Sequence, residues 1–90
     1  MIKKSVLNTF KRIGIDHTIY DNEVKNVRVD NRFGGGSCET TQLIAYLIQW
    51  VYSTSNAYEM GIQDVRLDDF DRVRYFILEQ DPNAYMTCID

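Results

Sequence analysis

The stretch NRFGGGSCETTQLIAYLIQW, residues 31–50, decides how the rest of this chain is read. Three consecutive glycines lead into a short polar run, and a block of large apolar residues follows. Leu43, Leu47 and Val51 recur at spacings of four, Ile44 and Ile48 lie beside them, and Tyr46 and Trp50 form a third row. That pattern predicts a helix that is apolar around most of its circumference, which belongs at the centre of a fold or in an interface. Ser37 is the expected N-cap, with Glu39 in the first turn facing the positive end of the helix dipole. The glycines are then a hinge that lets the helix leave the preceding hairpin at a steep angle.

Upstream, Ile2, Val6, Phe10 and Ile13 repeat at spacings of four, four and three, so residues 2–13 read as an amphipathic helix ending at Gly14. From Ile15 the pattern turns to alternation. His17–Tyr20 and Val24–Val29, around the polar Asp21-Asn22-Glu23 connection, are expected to form a β-hairpin. Downstream, the Ser53–Asn56 run is expected to break the central helix. A last helix should start at Asp68, with Asp71 completing a capping-box pattern, and should stop at Asp81, because the residue before Pro82 is driven out of the α region. Tyr85, Met86 and Ile89 in the tail are candidates for a third strand on the hairpin. The expected fold is a single α+β domain over residues 1–90: helix, hairpin, long apolar helix, helix.

A chain of 90 residues lies near the lower end of what buries enough surface to fold unaided, so association with itself or a partner would help it. The net charge of −3 hides an asymmetry: residues 1–45 carry seven basic against five acidic side chains, and residues 46–90 three against eight. An acidic chain without clustered Lys and Arg is poorly suited to nucleic acid. The longest apolar run, 43–52, is about half the roughly 20 residues of a membrane span, and the N-terminus lacks the pattern of a signal peptide. The expectation is a cytoplasmic protein with its two cysteines, Cys38 and Cys88, reduced.

Three constellations could carry chemistry. Gly34, Gly35, Gly36, Ser37 and Thr40 would offer an anion, such as a nucleotide or a phosphorylated metabolite, backbone N–H groups at a helix N-terminus. The spacing matches neither phosphate-binding glycine motif, and no lysine follows. Cys38, in the first turn of a helix, would have a lowered pKa, with His17, the one histidine, as its base. Asp64, Asp68 and Asp71 have helical spacing that would suit a divalent cation, but capping and dipole roles account for the acidic cluster better. No catalytic residue, metal or cofactor is therefore assigned.

The reading that follows is a non-enzymatic, regulatory or inhibitory protein acting through protein–protein interaction and forming a homo-oligomer. Its contact surface is expected to use Tyr46, Trp50 and Tyr58 with the acidic aromatic region Asp68, Asp69, Phe70, Asp71 and Tyr75, an arrangement of aromatic anchors with a charged rim. The anion binder is the alternative, and a thiol enzyme centred on Cys38 the third.

Overall fold

The computed structural model describes residues 2–20, 23–62 and 65–89. It is an α+β domain: α1 (Lys4–Ile13), a 3-10 turn (His17–Ile19), β1 (Val27–Asp30), β2 (Ser37–Thr40), α2 (Gln42–Glu59), α3 (Leu67–Gln80) and α4 (Pro82–Cys88). The N-terminal helix follows its apolar spacing. Val6 and Phe10 are buried, Ile2 and Ile13 pack partly buried on the same core, and Gly14 ends the helix with φ +80°, a left-handed C-cap that glycine adopts without a Cβ clash.

The hairpin is not the expected one. Residues 17–19 curl into a 3-10 turn because Asp16 Oδ1 accepts from the Thr18 N–H at 3.0 Å and from its hydroxyl at 2.5 Å. The expected connection at Asp21 and Asn22 lies outside the described residues. The antiparallel pair is β1 with β2, in the register Val27↔Thr40, Arg28↔Glu39, Val29↔Cys38 and Asp30↔Ser37. The glycines therefore form the hairpin turn itself. Val29, Cys38 and Thr40 point into the protein while Arg28, Asp30, Ser37 and Glu39 point out, the alternation of a half-buried two-stranded sheet.

Because Ser37–Thr40 is strand, α2 starts later than its pattern suggested, and its N-cap is Thr41, whose Oγ1 accepts from the Ile44 N–H at 3.3 Å. The helix then runs through Ser53–Asn56 without a break. That run contains neither Gly nor Pro, and Thr54, three residues after Val51, packs inward on the same face. Leu47 and Ile48 have no exposed surface, and the core around them draws on α1, both strands, α3 and α4.

Helix α3 begins at Leu67 with Arg66 at the N-cap and no side-chain cap, so the Asp68–Asp71 capping box does not form. Asp81 ends α3 as expected, with φ −147° and ψ 82°. The tail is helix α4, not a third strand: Pro82 sits at its first position, and Asp81 Oδ1 accepts from the Ala84 N–H at 3.2 Å. The other carboxylate oxygen, Oδ2, accepts from the Thr40 hydroxyl of β2 at 2.8 Å and lies 3.5 Å from Lys25 Nζ. Asp81 is thus a helix cap and a strand tether in one residue that is only 3% exposed.

Removing that carboxylate strands a buried hydroxyl as well as a cap. Asp81→Ala should lower the unfolding free energy by about 3 kcal/mol, and Asp16→Ala, at an exposed cap, by clearly less. Urea denaturation of both variants measures the difference, and equal losses would show that Asp81 acts only as a cap.

Candidate functional site

The sequence-derived candidates separate in space. Gly34, Gly35 and Gly36 form the β1–β2 turn, Ser37 is exposed on β2, and Thr40 is buried and bonded to Asp81. None stands at a helix N-terminus, because the first turn of α2 lies beyond them and is capped by Thr41. The anion cradle expected there has lost its helix.

Cys38 is likewise on a strand and buried, its Sγ 3.7 Å from Cys88 Sγ. Burial, then the neighbouring thiol, pushes it up to about 12, the reverse of the lowered value expected in a helix's first turn. His17 packs its ring on Phe10 of α1 at a centroid distance of 6.0 Å, and no hydrogen bond joins it to Cys38 among the described residues. A thiolate–imidazole pair is not assembled.

The expected partner-binding residues divide into an inner and an outer set. Phe70 of α3 sits between Trp50 and Tyr58 of α2, with ring centroids 6.1 and 5.5 Å away, so these three bind α3 to α2. The Tyr58 hydroxyl donates to the Val65 carbonyl at 2.5 Å, and burial raises its pKa. Tyr46 remains 41% exposed and lies 5.2 Å from the Tyr20 ring. Asp68, Asp71 and Tyr75 share the outer side of α3 and line a cleft of about 310 Å³ against Ile2 and Lys3. Its charges are mixed within the fold itself, with Lys3 near Glu79 at 3.9 Å and Arg74 near Asp71 at 3.4 Å. Asp64 lies outside the described residues, and among those described no group of three His, Cys, Asp or Glu is placed to hold a metal ion.

Asp69, expected on the partner surface, faces inward and joins α3 to α1. Its Oδ1 accepts from the Thr9 hydroxyl at 2.8 Å and from Arg12 Nη2 at 2.6 Å, and its Oδ2 from Arg12 Nε at 3.0 Å. Arg72 completes the cluster, 3.6 Å from Oδ1. The hydrogen bonds from Arg12 lead in holding the carboxyl at about 2.

The surface that sequence reading overlooked is the tip of the hairpin. Asn31 organises it: its N–H donates to the Gly36 carbonyl at 2.9 Å, its carbonyl accepts from the Gly34 N–H at 3.1 Å, and its Oδ1 accepts from the Phe33 N–H at 2.8 Å. Gly34 has φ +76° and Gly36 φ +130°, backbone that side chains with a Cβ rarely adopt. The Asn31 Nδ2 reaches across to the Thr87 carbonyl of α4 at 2.8 Å, and Arg32 Nη1 donates to the Tyr52 carbonyl of α2 at 3.0 Å. Phe33 stands out from this tied-down turn with 83% of its surface exposed.

Behind Phe33 lies a cleft of about 450 Å³, bounded by Arg32, Tyr52, Phe70 and Arg74 and by Ile89 after α4. Both arginines lie on aromatic rings. The Arg32 guanidinium is 5.7 Å from the Phe33 centroid and 5.9 Å from that of Tyr52, and the Arg74 guanidinium is 5.6 Å from Phe70. The Tyr52 hydroxyl donates to the Cys88 carbonyl at 2.7 Å, which fixes the floor of the cleft to α4. A signal was present in the sequence: an Arg-Phe pair directly before the glycines is a hairpin tip once VRVD and SCET are paired as strands.

The Asp69 cluster yields a pH dependence. Folding depresses this carboxyl from an unfolded value of about 3.9 to about 2, so its contribution is complete above roughly pH 4 and is lost as the pH falls through about 2. Acid unfolding of Asp69→Asn should lack that segment of the stability profile. Asp69→Ala should lose about 3 kcal/mol at neutral pH by leaving Arg12 and Thr9 without their acceptor. A variant with the profile of the parent protein would remove Asp69 from this role.

No protein-family model, curated protein or solved structure matches the chain.

Proposed function

We propose that this protein is a non-enzymatic binding protein, regulatory or inhibitory in effect, that engages a partner protein through the hairpin tip and the cleft behind it. The observation that carries the proposal is Phe33: a large aromatic side chain almost fully in water, on a turn held by the hydrogen bonds of Asn31 and fastened to α2 and α4. Exposing such a side chain opposes solubility and adds nothing to the fold, whereas a rigid aromatic anchor beside an arginine is the composition of a binding hot spot. Little conformational entropy remains to be lost when it docks. Arg74 is held by Asp71 and the Tyr85 hydroxyl, and Arg32 uses Nη1 on the Tyr52 carbonyl, so the exposed remainder of the Arg32 guanidinium beside Phe33 suits an apolar pocket with a carboxylate at its rim. On a chain with net charge −3, an exposed guanidinium beside the aromatic anchor discriminates between partners.

The homo-oligomer reading places a second copy on the same surface. Its support is the exposed Tyr75 on the outer side of α3, flanked by Asp68 and Asp71, whose exposed ion pairs with Arg66 and Arg74 would exchange for arginines of another copy head to tail.

Phe33→Ala should leave the unfolding free energy within about 0.5 kcal/mol of the parent, since its side chain is not buried. A photo-crosslinking phenylalanine analogue at position 33 should join the protein to one species in its own cells, and excess unlabelled protein should compete the product away. The mass of that product separates a second copy from a different protein. Diffuse crosslinking that excess protein leaves unchanged would end the proposal.

A further inference from the structure

The chain has two cysteines, separated by 50 positions, and the fold brings them together in its interior. Cys38 on β2 and Cys88 at the end of α4 are both buried, with their sulfurs 3.7 Å apart, and Cys88 Sγ also lies 3.8 Å from the Val29 carbonyl oxygen. Nothing in the binding surface uses either thiol. A disulfide bond needs the sulfurs at about 2.05 Å, so the gap must shorten by about 1.7 Å, which side-chain rotation and a small shift of α4 can supply. We infer that Cys38 and Cys88 are a modification site, a dithiol that exchange with a small-molecule disulfide converts into a covalent staple between β2 and α4.

The fold supplies a gate for the reaction. With both sulfurs buried, reagent reaches them only when α4 lifts. This seven-residue helix is too short to persist alone and is held by the Asp81 cap, the Asn31 Nδ2 bond to Thr87 and the Tyr52 hydroxyl bond to Cys88. Cys88 lies on α4 and swings out with it while Cys38 stays on β2, so Cys88 is the first to meet the reagent. On opening, the Cys88 thiol loses its proton to solvent and the thiolate attacks one sulfur of the small disulfide. The reagent S–S bond breaks, one thiolate leaves, and a mixed disulfide forms on Cys88. The Cys38 sulfur, its proton also released to solvent, then displaces the second small thiolate as α4 closes. Two protein thiols are oxidised, and one small disulfide is reduced to two thiols.

The staple would fix the helix on which the binding surface rests. Thr87 anchors Asn31, Cys88 holds the Tyr52 hydroxyl, and Ile89 walls the cleft, so the oxidised form keeps the hairpin tip in the geometry described above. The inference stands apart from the proposed function, because the sulfur geometry is the same whatever the tip contacts.

Incubation of the intact protein with oxidised glutathione at mildly alkaline pH, with and without sub-denaturing urea, followed by mass spectrometry and thermal melting, tests it. The expected product is a monomer that has lost the two thiol hydrogens and retains no adduct, with a Tm about 10 °C higher that dithiothreitol reverses. Tyr52→Phe, which loosens α4, should close the bond roughly five-fold faster, whereas Cys88→Ser should not lose two hydrogens within one chain. The inference is overturned by a persistent glutathione adduct, by a disulfide-linked dimer, by an intramolecular bond that lowers Tm, or by two intact thiols even in urea that hydrogen exchange shows to have opened α4.

Discussion

The architecture depends on one carboxylate. The Asp81 N–H closes the last turn of α3 on the Ile77 carbonyl at 2.9 Å, and its carbonyl accepts from the Tyr85 N–H at 3.1 Å to open α4. Its side chain caps α4, receives the Thr40 hydroxyl from β2 and lies beside Lys25. Two helices and a strand therefore meet at a group that is satisfied only when all are in place. A buried carboxylate that loses one donor keeps the cost of burial without the compensation, so these elements are expected to form together rather than in succession. Pro82 sharpens the joint by forcing Asp81 out of helical backbone.

Around that joint, the main task of the chain is to cover α2. A helix apolar on three rows presents more surface than so short a chain readily covers, which is the basis for expecting an interaction face. The structure resolves most of it internally. The row of Leu43, Leu47 and Val51 and the neighbouring Ile44 and Ile48 are all buried, while Trp50 is half covered by Phe70 and Tyr58 lies across the same ring. Tyr46 alone of the third row keeps a large exposed area. Helix α3 packs along α2 and β1 reaches it from the hairpin, while α4 packs on α3 and β2, which is how Cys88 arrives at Cys38.

Periodicity recovered the elements whose own packing dictates their shape. α1, the body of α2 and the stop at Asp81-Pro82 follow from local pattern alone. The errors share one cause, which is that two local signals competed and tertiary context chose between them. Ser37, Cys38, Glu39 and Thr40 suit a helix start, but the same residues alternate inward and outward, and the pairing of Val29 with Cys38 selects the strand. The segment around His17–Tyr20 alternates like a strand, yet Asp16 captures the Thr18 N–H locally and no strand among the described residues pairs with it. Asp69 looked like one member of an acidic surface run. Only the meeting of α3 with α1, across 60 residues of sequence, reveals Thr9 and Arg12 as its partners. Long-range pairs of this kind leave no trace in local spacing.

The displacement of the glycines from hinge to turn changes where binding energy can reside. A hinge would have made residues 31–36 a source of freedom, and freedom at a contact surface opposes affinity because it must be lost on docking. As a turn, the segment is constrained from three sides: internally by Asn31, toward α4 through Thr87 and toward α2 through Arg32. The glycines supply backbone angles, and the neighbouring elements remove the entropy that glycine would otherwise retain. Phe33 and the ring-stacked arginines thus inherit their rigidity from the packing of α2 and α4, so the stability of the smallest helix governs the shape of the most exposed surface.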